Sequence, residues 1–194
     1  MLLTQNAAFA ADTVPLSATV STEQSREVAY IIHALLNAED MNEPHRPKLD
    51  LFVDQALGHF DQWFVSKTSL YVRPFMVALS AHALINYYEH TGDPRIIPAL
   101  ITGLDWLWDH TWDGHAAAFR YTDRVVPSGG TDPAPDLNLL IAPAYAWVYR
   151  QTKEQRFADR ADQIFFGGSQ LAFLNNGKQF NQNYRWSFDF IKWR

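Results

Sequence analysis

Cysteine is absent from this chain of 194 residues. That removes disulfide frameworks and thiol chemistry, and it does not locate the protein. A basic excess is missing too. Sixteen Lys and Arg stand against 21 Asp and Glu, a formal charge of -5, so nucleic acid is not expected as the partner. No apolar run is long enough to span a membrane. There is no HExxH motif and no phosphate-binding loop, and Ser128-Gly129-Gly130 is too short to cradle a phosphate. No metal or cofactor is expected.

What the chain does have is enough length for a core, and many aromatic residues: 7 Trp, 8 Tyr and 13 Phe. The organising stretch runs from Arg73 to Trp112 and reads as a helical hairpin. Its first helix is apolar on most of its circumference, through Phe75, Met76, Val77, Leu79, Ala81, Ala83, Leu84 and Ile85. Such a helix is enclosed on more than one side. The turn Thr91-Gly92-Asp93-Pro94 follows. The second helix shows a single stripe, Ile96, Ile97, Leu100, Leu104 and Leu107.

The unit recurs loosely. His33-Ala34-Leu35-Leu36-Asn37 echoes His82-Ala83-Leu84-Ile85-Asn86, and Tyr149 to Arg156 echoes Tyr88 to Arg95. We therefore expect a flexible arm over 1–20 and one all-α domain over 21–194. About seven helices are predicted, near 22–40, 47–65, 73–90, 94–112, 137–151, 154–166 and 181–194. Ser21 and Gln24 form a candidate capping box. Asp136 stands where it would cap helix five, and Gly167-Gly168 would end or kink helix six. Asn175-Asn176-Gly177 reads as a turn. Ala8-Phe9-Ala10-Ala11-Asp12 resembles the small-residue end of a secretory signal, although no charged n-region precedes it, so export is one expectation and a plain tail the other.

Alternating inner and outer helices with a Thr-Gly-Asp-Pro-Arg turn resemble the α/α toroids of carbohydrate-active enzymes, among them unsaturated glucuronyl hydrolases, polysaccharide lyases and sugar epimerases. The resemblance covers about 23–194 at the level of helix pattern. It implies an incomplete toroid, since a full one needs about twelve helices. It also implies a polysaccharide or oligosaccharide as partner. The expected function is glycoside hydrolase or polysaccharide lyase, with a non-catalytic glycan-binding or domain-interaction module as the alternative.

Short turns at one end leave the long connectors 66–72, 113–136 and 167–180 at the other. A site is expected there, because long loops in compact domains carry function. Asp136 and Tyr184 are the candidates for proton transfer. Arg73, Trp112, Arg120, Tyr121, Asn138, Asn183 and Arg185 are the candidates for holding a sugar, through guanidinium, amide and ring contacts. Each has a structural alternative: core packing for the aromatics, a cap or a solvated turn for the acids. His33 with Asn37, and His82 with Asn86, share helix faces; they read as hydrogen-bonded core histidines, with an internal polar layer or one cleft-facing His as the alternatives. Helix seven carries Trp186, Phe188, Ile191 and Trp193 with no following helix, so self-association or a neighbouring domain is expected.

Overall fold

The computed structural model describes residues 19–173 and 177–194. Most of the expected arm and Asn175 and Asn176 of the expected turn fall outside them, as do the side chains of Lys178 and Gln179, while Gly177 already belongs to a helix. The described residues are largely helical: α1 Ser25–Asp40, α2 Lys48–Phe60, α3 Pro74–Thr91, α4 Ile96–Thr111, α5 Asn138–Thr152, α6 Gln155–Leu171 and α7 Gly177–Trp193. The all-α expectation stands. A two-stranded sheet pairs β1, Trp112–Asp113, with β2, Ala118–Phe119, antiparallel.

The chain divides into two compact units. One holds residues up to Leu70 and Leu79–Ala99, and the other holds Tyr71–Ala78 and Leu100–Arg194. In the first unit α1 packs on α2, and the apolar stripe Val28, Ile32 and Leu36 meets Leu49, Phe52, Val53 and Ala56 in a core. His33 of α1 lies 3.2 Å from the Asn86 amide of α3, so one member of each expected pair meets across two helices. His90 bridges back to Asp40, and His45 lies between Glu39 and Asp50.

Three local readings are corrected here. Ser21 does not cap α1; its hydroxyl donates to Ser69, while Gln24 reaches back to accept the Val20 N–H at 2.7 Å. Helix two stops being regular at Phe60 and continues as a π-helical turn, Asp61–Val65. Its rings, Trp63 and Phe64, are buried there against Phe60. Helix six runs straight through Gly167-Gly168 to Leu171.

In the second unit α5 packs against both α6 and α7 and is buried on almost every side from Asn138 to Val148. Its Tyr145 hydroxyl donates to the Leu104 carbonyl of α4 at 2.7 Å, and burial raises its pKa well above the usual tyrosine range. Lys153, in the left-handed region at φ 61°, closes α5. The glycine pair of α6 is explained by close approach rather than by breaking. A Cβ on Gly167 would lie 1.9 Å from the Ala117 carbonyl oxygen. Only a glycine lets the 112–119 hairpin reach α6 there.

α7 presents two apolar faces. Phe190 and Trp193 are buried, and Phe190 stacks on Phe165 at 4.1 Å. Phe180, Tyr184, Phe188 and Ile191 form an exposed stripe at helical spacing. The expected uncovered face is thus carried by Phe188 and Ile191, whereas Trp193 is packed inside the chain and Trp186 is half-buried.

Candidate functional site

The long connector after α4 folds as a small meander. Residues 118–122 run between 111–113 and 130–134. Arg120 N–H donates to the Thr111 carbonyl on one side. On the other, Tyr121 N–H donates to Asp132 and Ala134 N–H donates to Phe119. Thr122, fully buried, anchors the base of the outer turn. Its hydroxyl lies 2.6 Å from both the Arg124 and Gly130 carbonyls. Asp123 then bolts the meander to the segment before α3: its N–H donates to the Val72 carbonyl at 3.0 Å, and its Oδ1 accepts the Val72 N–H at 2.8 Å.

This places Arg73 beside the meander. Its guanidinium carbon lies 4.9 Å from the centre of the buried Tyr71 ring and 5.9 Å from that of Tyr121. Phe75 packs on the same Tyr121 ring at 5.2 Å. Nη2 of Arg73 donates to the Ser128 hydroxyl at 2.6 Å, with the Ser128 carbonyl at 3.4 Å. Nε is buried and has no hydrogen-bond partner among the described residues, and no carboxylate pairs with this arginine there. A cation between two ring faces is held by the ring quadrupoles, and an unpaired buried donor is costly. Arg73 and Tyr121 are thus brought together as expected. Tyr71, which the sequence reading missed, completes them. A Tyr-x-Arg spacing is its only sequence signal.

The remaining candidates divide by what already holds them. Asn138 is fully buried. Its Oδ1 accepts the Phe119 N–H at 3.3 Å, and its Nδ2 donates to the Ala117 and Ile164 carbonyls at 2.8 and 3.2 Å. It is a three-way brace between the meander, α5 and α6. The expectation that it holds a sugar is corrected on that ground. Asn183 is buried as well, and its Nδ2 donates to the Asp136 carbonyl at 3.0 Å, tying α7 to the 3-10 turn Pro135–Leu137. Asp136 lies inside that turn and makes no side-chain cap, since the residue before α5 is Leu137. Arg185 pairs with Asp189 at 2.8 Å and lies 4.8 Å over the Trp186 ring.

Tyr184 is 59% exposed, stacked on Phe180 and edge-on to Phe188. No described residue hydrogen-bonds its hydroxyl. Trp112 stacks on Trp108 at 4.8 Å and meets Phe119 edge-on at 5.1 Å, so it serves the packing of the meander. Arg120 is exposed, and its charge helps hold the nearby Asp113 carboxyl below its usual range, after the larger effect of the Ala116 and His115 N–H groups.

The first unit carries an open hollow of about 430 Å³ between Leu51, Leu57, Asp54, Asp61 and Arg95. Its arginine is saturated: Nη1 donates to Asp54, and Nε and Nη2 to Asp93. Among the described residues no group of three or more His, Asp or Glu side chains is arranged to hold a metal, and no helix is long and apolar enough to cross a membrane. No family model matches the chain, and neither the curated proteins nor the solved structures give a match.

Proposed function

We propose that this chain is a carbohydrate-active protein, and that its saccharide site is the corner made by Tyr71, Arg73 and the 120–133 meander. One observation carries the reading. In a chain of net charge -5, Arg73 is held half-buried between two tyrosine rings, with a hydroxyl and a carbonyl as its only hydrogen-bond partners among the described residues. Guanidinium donors suit the hydroxyl or carboxylate oxygens of a sugar. The hairpin helices would then be part of an α/α toroid, with the meander as one of its long loops.

Two strengths of this proposal differ in what they require. Turnover, as glycoside hydrolysis or uronate elimination, would need Asp136 and Tyr184 to meet a substrate held in place. Binding without turnover needs only the Arg73 corner. We put binding first, because Tyr184 lies in an exposed aromatic stripe and the amides of Asn138 and Asn183 are committed to backbone groups. The α7 stripe fits the companion proposal of self-association or a neighbouring domain.

A glycan array probed with the full chain, followed by calorimetric titration of the retained glycans, tests the reading. Retention of oligosaccharides by the native chain and its loss in Arg73→Gln are expected. Retention of no glycan would sink it, as would unchanged affinity in Arg73→Gln. Reducing-end release and ultraviolet absorbance of an unsaturated uronate, measured on the retained glycans, separate turnover from binding.

A further inference from the structure

We infer that the tip of the meander, Pro127 to Gly129, is a built-in placeholder for the ligand of Arg73. A ligand oxyanion displaces it. The inference rests on the saccharide reading above for the identity of the ligand.

The base and the tip of this turn are held very differently. The base is fixed by the buried Thr122 hydroxyl and by the paired Val72–Asp123 bonds. The tip closes on itself through reciprocal Val126 and Gly129 backbone bonds of 3.0 and 3.1 Å. Beyond that closure it has two holds among the described residues. One is the Ser128 bond to Arg73. The other is Gly129 lying on the Tyr121 ring, where a Cβ would come within 2.9 Å of Cδ1 and Cε1. Lifting the tip costs those two contacts and leaves the meander bolted down.

The tip is also a poor ligand for what it covers. Ser128 offers neutral oxygens, and both face Nη2. Nε stays buried and has no partner among the described residues. A carboxylate spans Nε and Nη2 with two parallel charge-assisted bonds, and these are roughly twice as strong as neutral ones. A hydroxyl and a carbonyl on one nitrogen cannot do this. A carboxylate on an acidic sugar therefore gains the bond that Ser128 makes and also the one that it cannot make. The same chemistry predicts weak competition from a neutral sugar, which has only hydroxyls to exchange for the serine's.

Two substitutions act on the tip without touching the guanidinium. Ser128→Ala deletes the hydroxyl, and Gly129→Ala pushes a Cβ into Tyr121. Both should tighten binding of a hexuronate trisaccharide, by roughly two- to tenfold for the loss of one hydrogen bond that competes with the ligand. Its carboxyl-reduced counterpart should gain much less. The Gly129 amide resonance should shift when the acidic trisaccharide is added, because the tip has left the Tyr121 ring. Unchanged or weaker acidic binding in both variants overturns the inference. So does equal binding of the two trisaccharides with no response at Gly129, and that outcome leaves the saccharide reading standing. If neither trisaccharide binds any variant, the saccharide reading falls. The tip is then judged on inorganic sulfate, and equal sulfate affinity in native protein and Ser128→Ala overturns it as well.

Discussion

Arg95 in the first unit and Arg73 in the second both sit beside turns that lead into helices. Arg95 spends its donors on two carboxylates, Asp54 and Asp93, and its pKa is raised by those bonds. Arg73 has two rings and one serine, and a buried Nε left over. The difference separates polar groups consumed by the fold from polar groups that the fold holds but does not satisfy. Asn138 belongs with Arg95. The corner at Arg73 stands apart, and for that reason it, rather than the hollow beside Arg95, is the proposed site.

The largest test is Asn138→Ala. It would leave the Phe119 N–H and the Ala117 and Ile164 carbonyls without their partner in a dry interior. An orphaned buried polar group costs about 1–3 kcal/mol, so a loss of about 3 kcal/mol or more is expected in denaturant unfolding. Saccharide affinity of the folded fraction should not move. A variant of native stability with impaired binding would return Asn138 to the site and undo the division.

Next in size is an acid effect at His59. This ring is buried, and its Nε2 lies 2.9 Å from the Thr19 hydroxyl, which also donates to Gln55. Burial pushes its pKa down from 6.5 to about 4. The native state therefore holds the neutral ring while the unfolded chain takes up a proton below pH 6.5. Stability should fall as pH drops from 6.5 towards 4, by about 3 kcal/mol in all. His45 and His90 act with the opposite sign. Asp50 and then Glu39 raise the first. The Asn86 carbonyl and then Asp40 raise the second. What they contribute is full below pH 6.5 and is lost as pH rises through their raised values, and it is small because both are exposed. Unfolding curves of His59→Gln across this range should lose most of the acid slope. A slope unchanged in that variant would place the acid sensitivity elsewhere.

The fold was more legible than the site. Apolar periodicity places the helices, because a buried stripe must repeat with the helical turn. The enclosed character of α3 and α5 follows from their all-round apolar surface. Periodicity is blind to three features. The π-helical turn at Asp61 keeps the apolar rings coming and so looks like more helix. Gly167 looks like a breaker, although it answers to the Ala117 carbonyl, 50 positions earlier. Asn138 and Asn183 have the residue type of sugar ligands, and only tertiary burial shows that each is bonded to a backbone carbonyl. Arg73 was legible as a long-loop arginine. Its lack of a carboxylate partner among the described residues was not, since pairing depends on which acids the fold brings near.

Arg73→Gln comes third. Removing the charge should abolish binding of an acidic saccharide while costing little stability, since the ring contacts of a half-buried arginine are worth about 0.5–2 kcal/mol and an unpaired Nε is removed with it. Calorimetric titration beside a thermal melt reads both quantities. A collapsed melt would show that Arg73 belongs to the fold after all.

Arg95→Gln should have the smallest effect, and it closes the comparison from the other side. The Arg95 and Asp54 side chains are each about half exposed, at 53% and 51%, so water already screens much of their attraction. Exposed ion pairs contribute up to about 1 kcal/mol, and a loss no larger than that is expected. The local signature should be clearer than the global one. The Arg95 side chain is the main cause that holds the Asp93 carboxyl below its usual range. In the variant the Asp93 titration followed by NMR should move up towards the ordinary carboxylate value. The sign follows from linkage: a carboxyl with a lowered folded pKa adds stability above its unfolded pKa and loses it as pH falls through the folded one. The variant should therefore differ least from the native protein at low pH and most near neutrality. Saccharide affinity should stay where it was. If Arg95→Gln weakened binding as much as Arg73→Gln does, saturation by carboxylates would not be what separates the two arginines, and the hollow in the first unit would become the better place to look for the ligand.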